Sequence, residues 1–319
     1  MKRRRFSVSL LTGLMIAGGL TMPLAQAGEQ AAAKKRIVFL PGRQSHGWSA
    51  HSYGADCKLL ARLLNEHVPA VEAVVIEGGW PKDTAVLDGA AAIVIACDGN
   101  GLLGPEANYQ TLDALAKKGV GIAFIHYALD VGSKDLGKYL IGWIGGYYEQ
   151  HWSVNPSWIA EFKSLPEHPI TRGVKPFQLS DEWYYHMRFR EGMKGVTPIL
   201  TAIPPDRTRE GDDGPHSGNP TVRSRKGMAE HVAWACERED GGRGFGFTGG
   251  HVHWNYAQNQ LRTLLLNALC WIAKVEVPPE GVQTRTPTAE EMEANLEGPR
   301  PPRWKTDQTQ RIIDHLNKP

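Results

Sequence analysis

Histidine and carboxylate side chains recur at separated places in this sequence, each just past an apolar run that reads as a strand. After "RIVFLPG" come Arg43, His46 and, slightly later, His51. Asp98 and Asn100 follow "AAIVIA", His126 and Tyr127 follow "GIAFI", and His251 and His253 follow "GRGFGFTGG". A further segment, "SDEWYYH", carries Asp181, Glu182, Trp183, Tyr184 and His186. Histidine is the side chain suited to move protons near neutral pH, and it is a common metal ligand. A carboxylate beside it supplies a second acid–base group or an oxygen ligand. If "HVH" is extended, His251 and His253 share one face, an arrangement that suits a metal; a capping or structural role is the plainer reading of either. The glycines of "TGGH" are consistent with a tight turn, or with backbone that lets a helix N-terminus approach an anion.

The elements that must position these groups alternate. "RIVFLPG", "VEAVVIEG", "AAIVIACDG" and "VGIAFIHYA" are short, continuous apolar runs, as expected of strands buried on both faces. Between them lie helical spacings over Tyr53–His67 and in "PEANYQTLDALAKKG", which opens on Pro and closes on Gly. The fold expected is α/β: an open, mostly parallel sheet with helices on both faces, flavodoxin-like, in a single domain over residues 36–275. Ligands bind such sheets at the carboxyl ends of the strands, the edge to which those segments bring their histidines. Beyond Ala128 the pattern loosens. "PSWIAEF", "TPILTAI" and "HVAWACERE" read as strands, "FQLSDEWYYHMRF" is partly alternating, and Gln258–Lys274 reads as an amphipathic helix. The polar stretch Pro204–Met228 suits either a mobile lid or disorder. Residues 276–319, rich in Pro, Glu and Arg, read as an extended tail with a short helix at Thr309–Leu316.

The start of the chain has a different character. "MKRRRF", an apolar stretch and "AQA" at Ala25–Ala27 form the pattern of a signal peptide over residues 1–27. It is followed by a linker over 28–35. Export to a periplasm or beyond is expected, with the arginines allowing a twin-arginine route. No later segment has membrane-spanning length, and a net charge of +2 gives no electrostatic footprint for nucleic acid. The four cysteines, Cys57, Cys97, Cys236 and Cys270, show no CxxC spacing and could pair or stay buried as thiols. Where an α/β hydrolase would bend into a Ser or Cys nucleophile, this chain has His126 between Ile125 and Tyr127. Acyl-enzyme chemistry is therefore not expected. Neither is nucleotide binding, since no Walker loop or GxGxxG follows the first strand.

"GVGIAFIHYA", "HPITRGVKPFQLSDEWYY" and "GRGFGFTGGHVHWNYAQNQLRTLLLNALCWIA" together resemble, in order and spacing, the trehalose-utilisation (ThuA-like) family. The resemblance spans about Arg36–Ala273 and implies a class I glutamine amidotransferase-like fold. By position it assigns His126 to the place of the amidotransferase Cys, His251 to the late "GH" motif and Glu182 to the "DE-x-Y" motif. His46 is a looser match, while His253 and the Pro204–Met228 insertion depart from the pattern. It also implies work on sugars, notably oxidised (3-keto) sugars and glycosides.

Taken together, His126, His251 and Glu182 are the expected catalytic groups. Arg43, His46, Tyr127, Trp183, Tyr184 and Trp254 are expected to bind substrate, the aromatics offering apolar faces to a sugar ring. His46, His126, His251 and His253 are the residues a divalent, zinc-like metal ion would use. The expected partner is a small carbohydrate. Two other readings stay open: a non-catalytic sugar- or partner-binding module with a decayed site, and a metal-dependent hydrolase of something other than sugar.

Overall fold

The computed structural model describes Ser7 and residues 33–318. The expected signal peptide at 1–27, and the linker up to residue 32, lie outside the described residues apart from Ser7. The strands form where the apolar runs place them: β1 (Lys35–Pro41), β2 (Val71–Val75), β3 (Ala90–Ala96) and β4 (Gly121–Ile125). Helices α1 (Tyr53–His67), α2 (Glu106–Lys117) and α3 (Lys134–Trp143) lie among them. Next in the chain come the short strands β5 (Gly146–Tyr147), β6 (Ser157–Phe162), β7 (Phe177–Glu182) and β8 (Arg188–Phe189). They are followed by β9 (Val196–Ala202), α4 (Pro220–Arg223), β10 (Glu230–Glu237), β11 (Arg243–Phe247) and α5 (Asn259–Ile272).

Seven strands make one sheet in the order β2-β1-β3-β4-β11-β10-β9, and β5–β8 and β6–β7 pair separately. The pairings from β2 through β11 are parallel, whereas β10 runs antiparallel to both β11 and β9. Strands β1, β3, β4 and β11 are thus consecutive neighbours, and their carboxyl ends share one edge.

Alternation within each strand sends side chains to two cores. Ile37, Phe39, Val94, Ile125 and Phe247 face the layer that holds α1 and α5. Val38, Leu40, Ile93, Ile95 and Phe124 face the layer that holds α2 and α3. All four cysteines are buried and free.

Helix α5 departs from the amphipathic expectation: every residue from Leu261 to Ile272 is buried. A helix buried all round needs cover on its outer side, and the tail supplies it. Asn267 Oδ1 accepts the Val282 N–H at 2.8 Å, and Arg262 Nε donates to Thr284 Oγ1 at 2.8 Å. The tail also carries α6 (Ala289–Glu293) and α7 (Thr306–Leu316), and buries Val277, Val282, Ala289, Met292 and Ile313. It is a packed strap rather than a loose extension. The polar stretch Pro204–Met228 is likewise ordered. Its Arg209, fully buried, donates to Glu230 Oε1 at 3.0 Å and to the Met228 carbonyl at 2.6 Å.

Met292 is 0 % exposed within the α1/α5 core. Met292→Ala is expected to destabilise the fold by about 2–5 kcal/mol, the range for emptying a buried Met site. Chemical denaturation reads this directly, and a change below about 0.5 kcal/mol, the size of an ordinary surface substitution, would show that the strap is not part of the core.

Candidate functional site

Directly after β4, His126 opens a 3-10 turn (His126–Leu129) with φ of +56°. Side chains with a Cβ seldom hold that conformation, and it persists where surroundings over-determine it. Here they do. The register pairs Ile125 with Phe247, so the Thr248 carbonyl comes alongside and meets His126 Nδ1 at 2.8 Å. A carbonyl only accepts, so Nδ1 carries the proton. Burial drives the basicity of His126 well below the usual histidine range, and the neighbouring His51 ring adds to this. The ring is neutral, and its Nε2 is a bare acceptor.

His51 comes from the loop between β1 and α1. That loop is stitched to the segment after β11: His51 N–H donates to the His251 carbonyl at 3.0 Å, His253 N–H to the Ser49 carbonyl at 2.9 Å, and Ala50 bridges Val252. On the β3 side, Asp98 Oδ1 lies 2.7 Å from His51 Nδ1 and accepts the Tyr53 hydroxyl at 2.6 Å. Burial alone would raise the Asp98 carboxyl, but hydrogen bonds from His51, Ser45 and Tyr53 hold it down at about 2. An ionised carboxylate takes the proton of His51 Nδ1, which leaves Nε2 facing His126 Nε2 at 3.0 Å. Two bare nitrogen lone pairs at that distance repel. A proton or a cation must sit between them.

Glu182 completes the cluster from the end of β7. Its Oε2 lies 3.6 Å from His126 Nε2 and 3.3 Å from His251 Nδ1. The second contact is an ion-pair approach without hydrogen-bond alignment, and His251 Nδ1 has no other partner. Burial works against a charged His251, yet the carboxylates of Glu182, Asp181 and Asp98 together outweigh it and raise the imidazole's basicity. Tyr184, buried one residue beyond Trp183, brings its hydroxyl to 3.2 Å from His126 Nε2.

The preceding residue, Asp181, fixes the turn. Fully buried, it accepts the Gly250 N–H at 2.8 Å, the Val252 N–H at 3.3 Å and its neighbour's N–H at 2.8 Å. Both glycines of the turn are required. Gly250 has φ of +108°, and a Cβ on Gly249 would overlap the Trp183 ring at 2.5 Å.

Of the expected site residues, His126, His251, Glu182, Tyr184 and His46 lie together. The exposed His46 ring sits 3.8 Å from that of His51 and 5.5 Å from that of His251, and burial beside His51 lowers its basicity. Tyr127, half-buried, has its ring 6.1 Å from His51. Four others are set apart. His253 begins a new 3-10 turn (His253–Ala257), so "HVH" is not extended there; its Nδ1 pairs with Asp56 and its Nε2 meets the Met292 carbonyl at 2.6 Å. Both nitrogens are spent on tying the strap to α1, and none is left for a metal. Trp183 is 0 % exposed and packs on Phe162 and Phe247. Trp254 stacks on Trp304. Arg43 lines a separate depression with Gly54, Gly79 and Glu297. In their place the structure brings His51, Asp98 and Tyr53.

The ligand atoms of His51, His126, Glu182 and His251 all fall within 4.8 Å of one another. A tetrahedral zinc ion, with ligand bonds of about 2.0–2.2 Å, sets its ligands about 3.3 Å apart. The contacts of 3.0, 3.3 and 3.6 Å in this cluster match that spacing. His51 and His126 also each donate their other nitrogen to an oxygen acceptor, the arrangement that orients metal-bound histidines. The residues fit a divalent cation.

An open, mostly parallel sheet with helices among its strands, a strained turn directly after β4 and a cluster of polar groups at the carboxyl edge make this a class I glutamine amidotransferase-like fold, with His126 at the first position of that turn. The thiol next to Asp98, on Cys97, is pushed up to about 12 by burial. The chain matches the ThuA family model, described as trehalose utilisation, over residues 38–272, and belongs to that family. Among solved structures it is similar to a ThuA-like protein from Bacteroides uniformis, with 14 % identity, a TM-score of 0.54, and 77 % of this chain and 94 % of that one covered. It is also similar to a ThuA-like protein from Parabacteroides merdae, with 13 % identity, a TM-score of 0.50, and coverage of 79 % and 98 %. At those identities the likeness concerns the fold. No curated protein matches the chain in sequence.

The two histidines of "HVH" are expected to respond differently to substitution. His253→Ala removes one partner of a buried pair and should destabilise by about 3–5 kcal/mol. His251→Ala, whose ring makes no aligned hydrogen bond, should change stability by less than about 1 kcal/mol. Equal losses in denaturant titrations of the two variants would contradict this division of labour.

Proposed function

We propose that this protein is a carbohydrate-active enzyme that cleaves oxidised sugar derivatives such as 3-keto-glycosides, using acid–base groups assisted by one divalent, zinc-like cation. The observation that carries this reading is the approach of the Nε2 atoms of His51 and His126 to 3.0 Å, with Glu182 beside them. Membership of a family described as trehalose utilisation directs the chemistry toward sugars.

His51, His126 and Glu182 would hold the cation, three protein ligands being the usual complement of a catalytic site. Bound there, it would act as a Lewis acid on a carbonyl oxygen. The remaining chemistry belongs to the chain. In a 3-keto-glycoside the carbonyl acidifies the proton on C2. His251, partly exposed and with Nδ1 turned to the Glu182 carboxylate, is placed to accept that proton on its other ring nitrogen. The C2–H electrons form the C1=C2 bond, the C1–O bond breaks, and the departing oxygen takes a proton. Addition of water to the product then completes a net hydrolysis. Tyr184, fixed against His126, can donate a hydrogen bond to oxygen that develops charge. Asp98 and Asp181 act as positioning residues, the first for His51 and the second for the turn bearing His251. The basic start, apolar stretch and "AQA" of residues 1–27 support a place outside the cytoplasm.

The test is turnover of a 3-keto-glucoside by the purified mature protein, with metal content measured on the same sample. About one zinc-like ion per chain is expected. His251→Ala should lower kcat by about 10²–10⁴-fold, as for loss of an acid–base group, whereas Glu182→Gln should lower the metal content together with kcat. Sugar binding without any turnover would overturn the enzymatic reading in favour of a binding module.

A further inference from the structure

The loop that carries His46 and His51 has little apolar content of its own. From Gly42 to Ser52 it reads "GRQSHGWSAHS", and Trp48 is its only large apolar side chain. The loop is tied internally: Gln44 Nε2 donates to the Gly47 carbonyl at 2.9 Å and to the Ala50 carbonyl at 3.3 Å. Two of its residues that have a Cβ lie in the left-handed region, Ser49 with φ of +69° and His51 with φ of +46°. Such a unit keeps its course only where outside contacts over-determine it. Beyond the backbone bridges to the segment after β11, its one apolar handle is Trp48.

That handle is gripped from the strap. The Trp48 ring meets Trp304 edge-on at 5.1 Å and Trp254 edge-on at 5.4 Å, while Trp254 and Trp304 lie nearly parallel, 5.9 Å apart. The Arg300 guanidinium stands 5.9 Å over the Trp48 ring, at the outer limit of a cation–π contact. Both strap residues are themselves held. Trp304 Nε1 donates to Thr309 Oγ1 at 3.0 Å, and Arg300 donates to Thr306 Oγ1 at 3.0 Å and pairs with Glu293 Oε2 at 3.2 Å. Glu293 also accepts from the hydroxyls of Thr306 and Thr309, which locks the end of α6 to the start of α7 around Trp304. The strap follows the residues, 38–272, that match the family model, so the grip comes from outside the matched fold.

We infer that Trp304 and Arg300 are positioning residues of the site: by bracing Trp48 from the strap they hold the loop whose His51 faces His126, so that the histidine cluster is closed only while the strap is docked. The chain of contacts is short. Trp48 is two residues from His46 and three from His51. Past Trp48, the Ala50 N–H donates to the Gly47 carbonyl at 3.0 Å and the His51 N–H to the His251 carbonyl at 3.0 Å. A loop shift of about 1 Å is large beside metal–ligand bonds of about 2.0–2.2 Å. The effect on a cation rests on the reading proposed above, whereas the brace itself does not.

Hydrogen exchange and zinc titration on the purified protein test this together. In Trp304→Ala the amides of Ala50 and His51 are expected to exchange at least about 10-fold faster, the scale of one lost aromatic contact, while those of β10 and β11 are unchanged. Affinity for zinc ion, titrated into metal-stripped protein, should fall by about 10–100-fold, as on loss of a group that orients a metal ligand. Trp304→Phe, which keeps a ring in the stack, should restore both to within about threefold. Trp48→Ala, made from the loop side with the strap residues intact, should reproduce both losses. The double variant should be no worse than either single one, because the two share one contact. Unchanged exchange at Ala50 and His51, or equal acceleration throughout the sheet, would overturn the brace. Faster exchange there with unaltered zinc affinity would overturn the positioning role. If the unsubstituted protein binds no zinc, the cation of the proposed function falls, and the exchange result alone decides the brace.

Discussion

Two imidazoles that have each given up one nitrogen must point the other at a common spot. That constraint organises the carboxyl edge of this sheet. Thr248 takes Nδ1 of His126 and Asp98 takes Nδ1 of His51, which leaves their Nε2 atoms 3.0 Å apart. Neither tie can shift independently. Thr248 is placed by the β4–β11 register, and Asp98 by the end of β3. The positive φ of His126 is what turns its ring back toward Thr248 rather than along the strand. Strain of this kind costs about 1–3 kcal/mol, and the core packed on both faces of β4 is what sustains it.

A second layer of contacts sets how closely the acidic group can approach. Asp181 and Glu182 are adjacent, and along an extended strand adjacent side chains point to opposite faces. Asp181 therefore goes into the interior and grips the Gly250–Val252 backbone, while Glu182 emerges among the histidines. One dipeptide thus supplies both the clamp that shapes the turn and the carboxylate that pairs with His251. Because the clamp acts through backbone N–H groups, it specifies no side chain at 251 or 252. It does demand Gly at 250, where φ is +108°.

The sheet and the gathering of His126, His251 and Glu182 were legible because buried parallel strands read as continuous apolar runs, and chemistry collects at their carboxyl ends. The same alternation contains the signal that Trp183, which shares Asp181's face, belongs to the core while Tyr184 belongs to the site. His51 was harder to rank. It reaches the cluster through an antiparallel bridge between Ala50 and Val252, residues far apart in the chain, and local pattern carries no trace of such pairing. His253 misleads for the opposite reason. Spacing suggests a shared face with His251, but the chain turns into a 3-10 helix at that residue and sends the ring to Asp56. The tail escaped because its apolar residues are sparse and aperiodic: they fit the outer side of α5 one at a time rather than forming a face of their own.

The strap and the Pro204–Met228 stretch answer the same physical problem at two places in the fold. An open sheet exposes the outer side of its covering helices and the rim of its ligand-binding edge. On one side, Arg262 and Asn267 within α5 hold the returning chain through its backbone and Thr284, so the helix can be apolar all round. On the other, Pro215 and His216 are held by Tyr148, His151 and Asn155, and the stretch brings His216 to within 6.1 Å of Tyr127. In both cases hydrogen bonds to backbone carbonyls and N–H groups supplement side-chain anchors, the buried Met292 and Ile313 of the strap and the Arg209–Glu230 pair of the loop. Away from those anchors such segments can change in sequence while keeping their course. The loop side can then alter what lies opposite the histidine cluster without disturbing the two ties that hold His51 and His126 face to face.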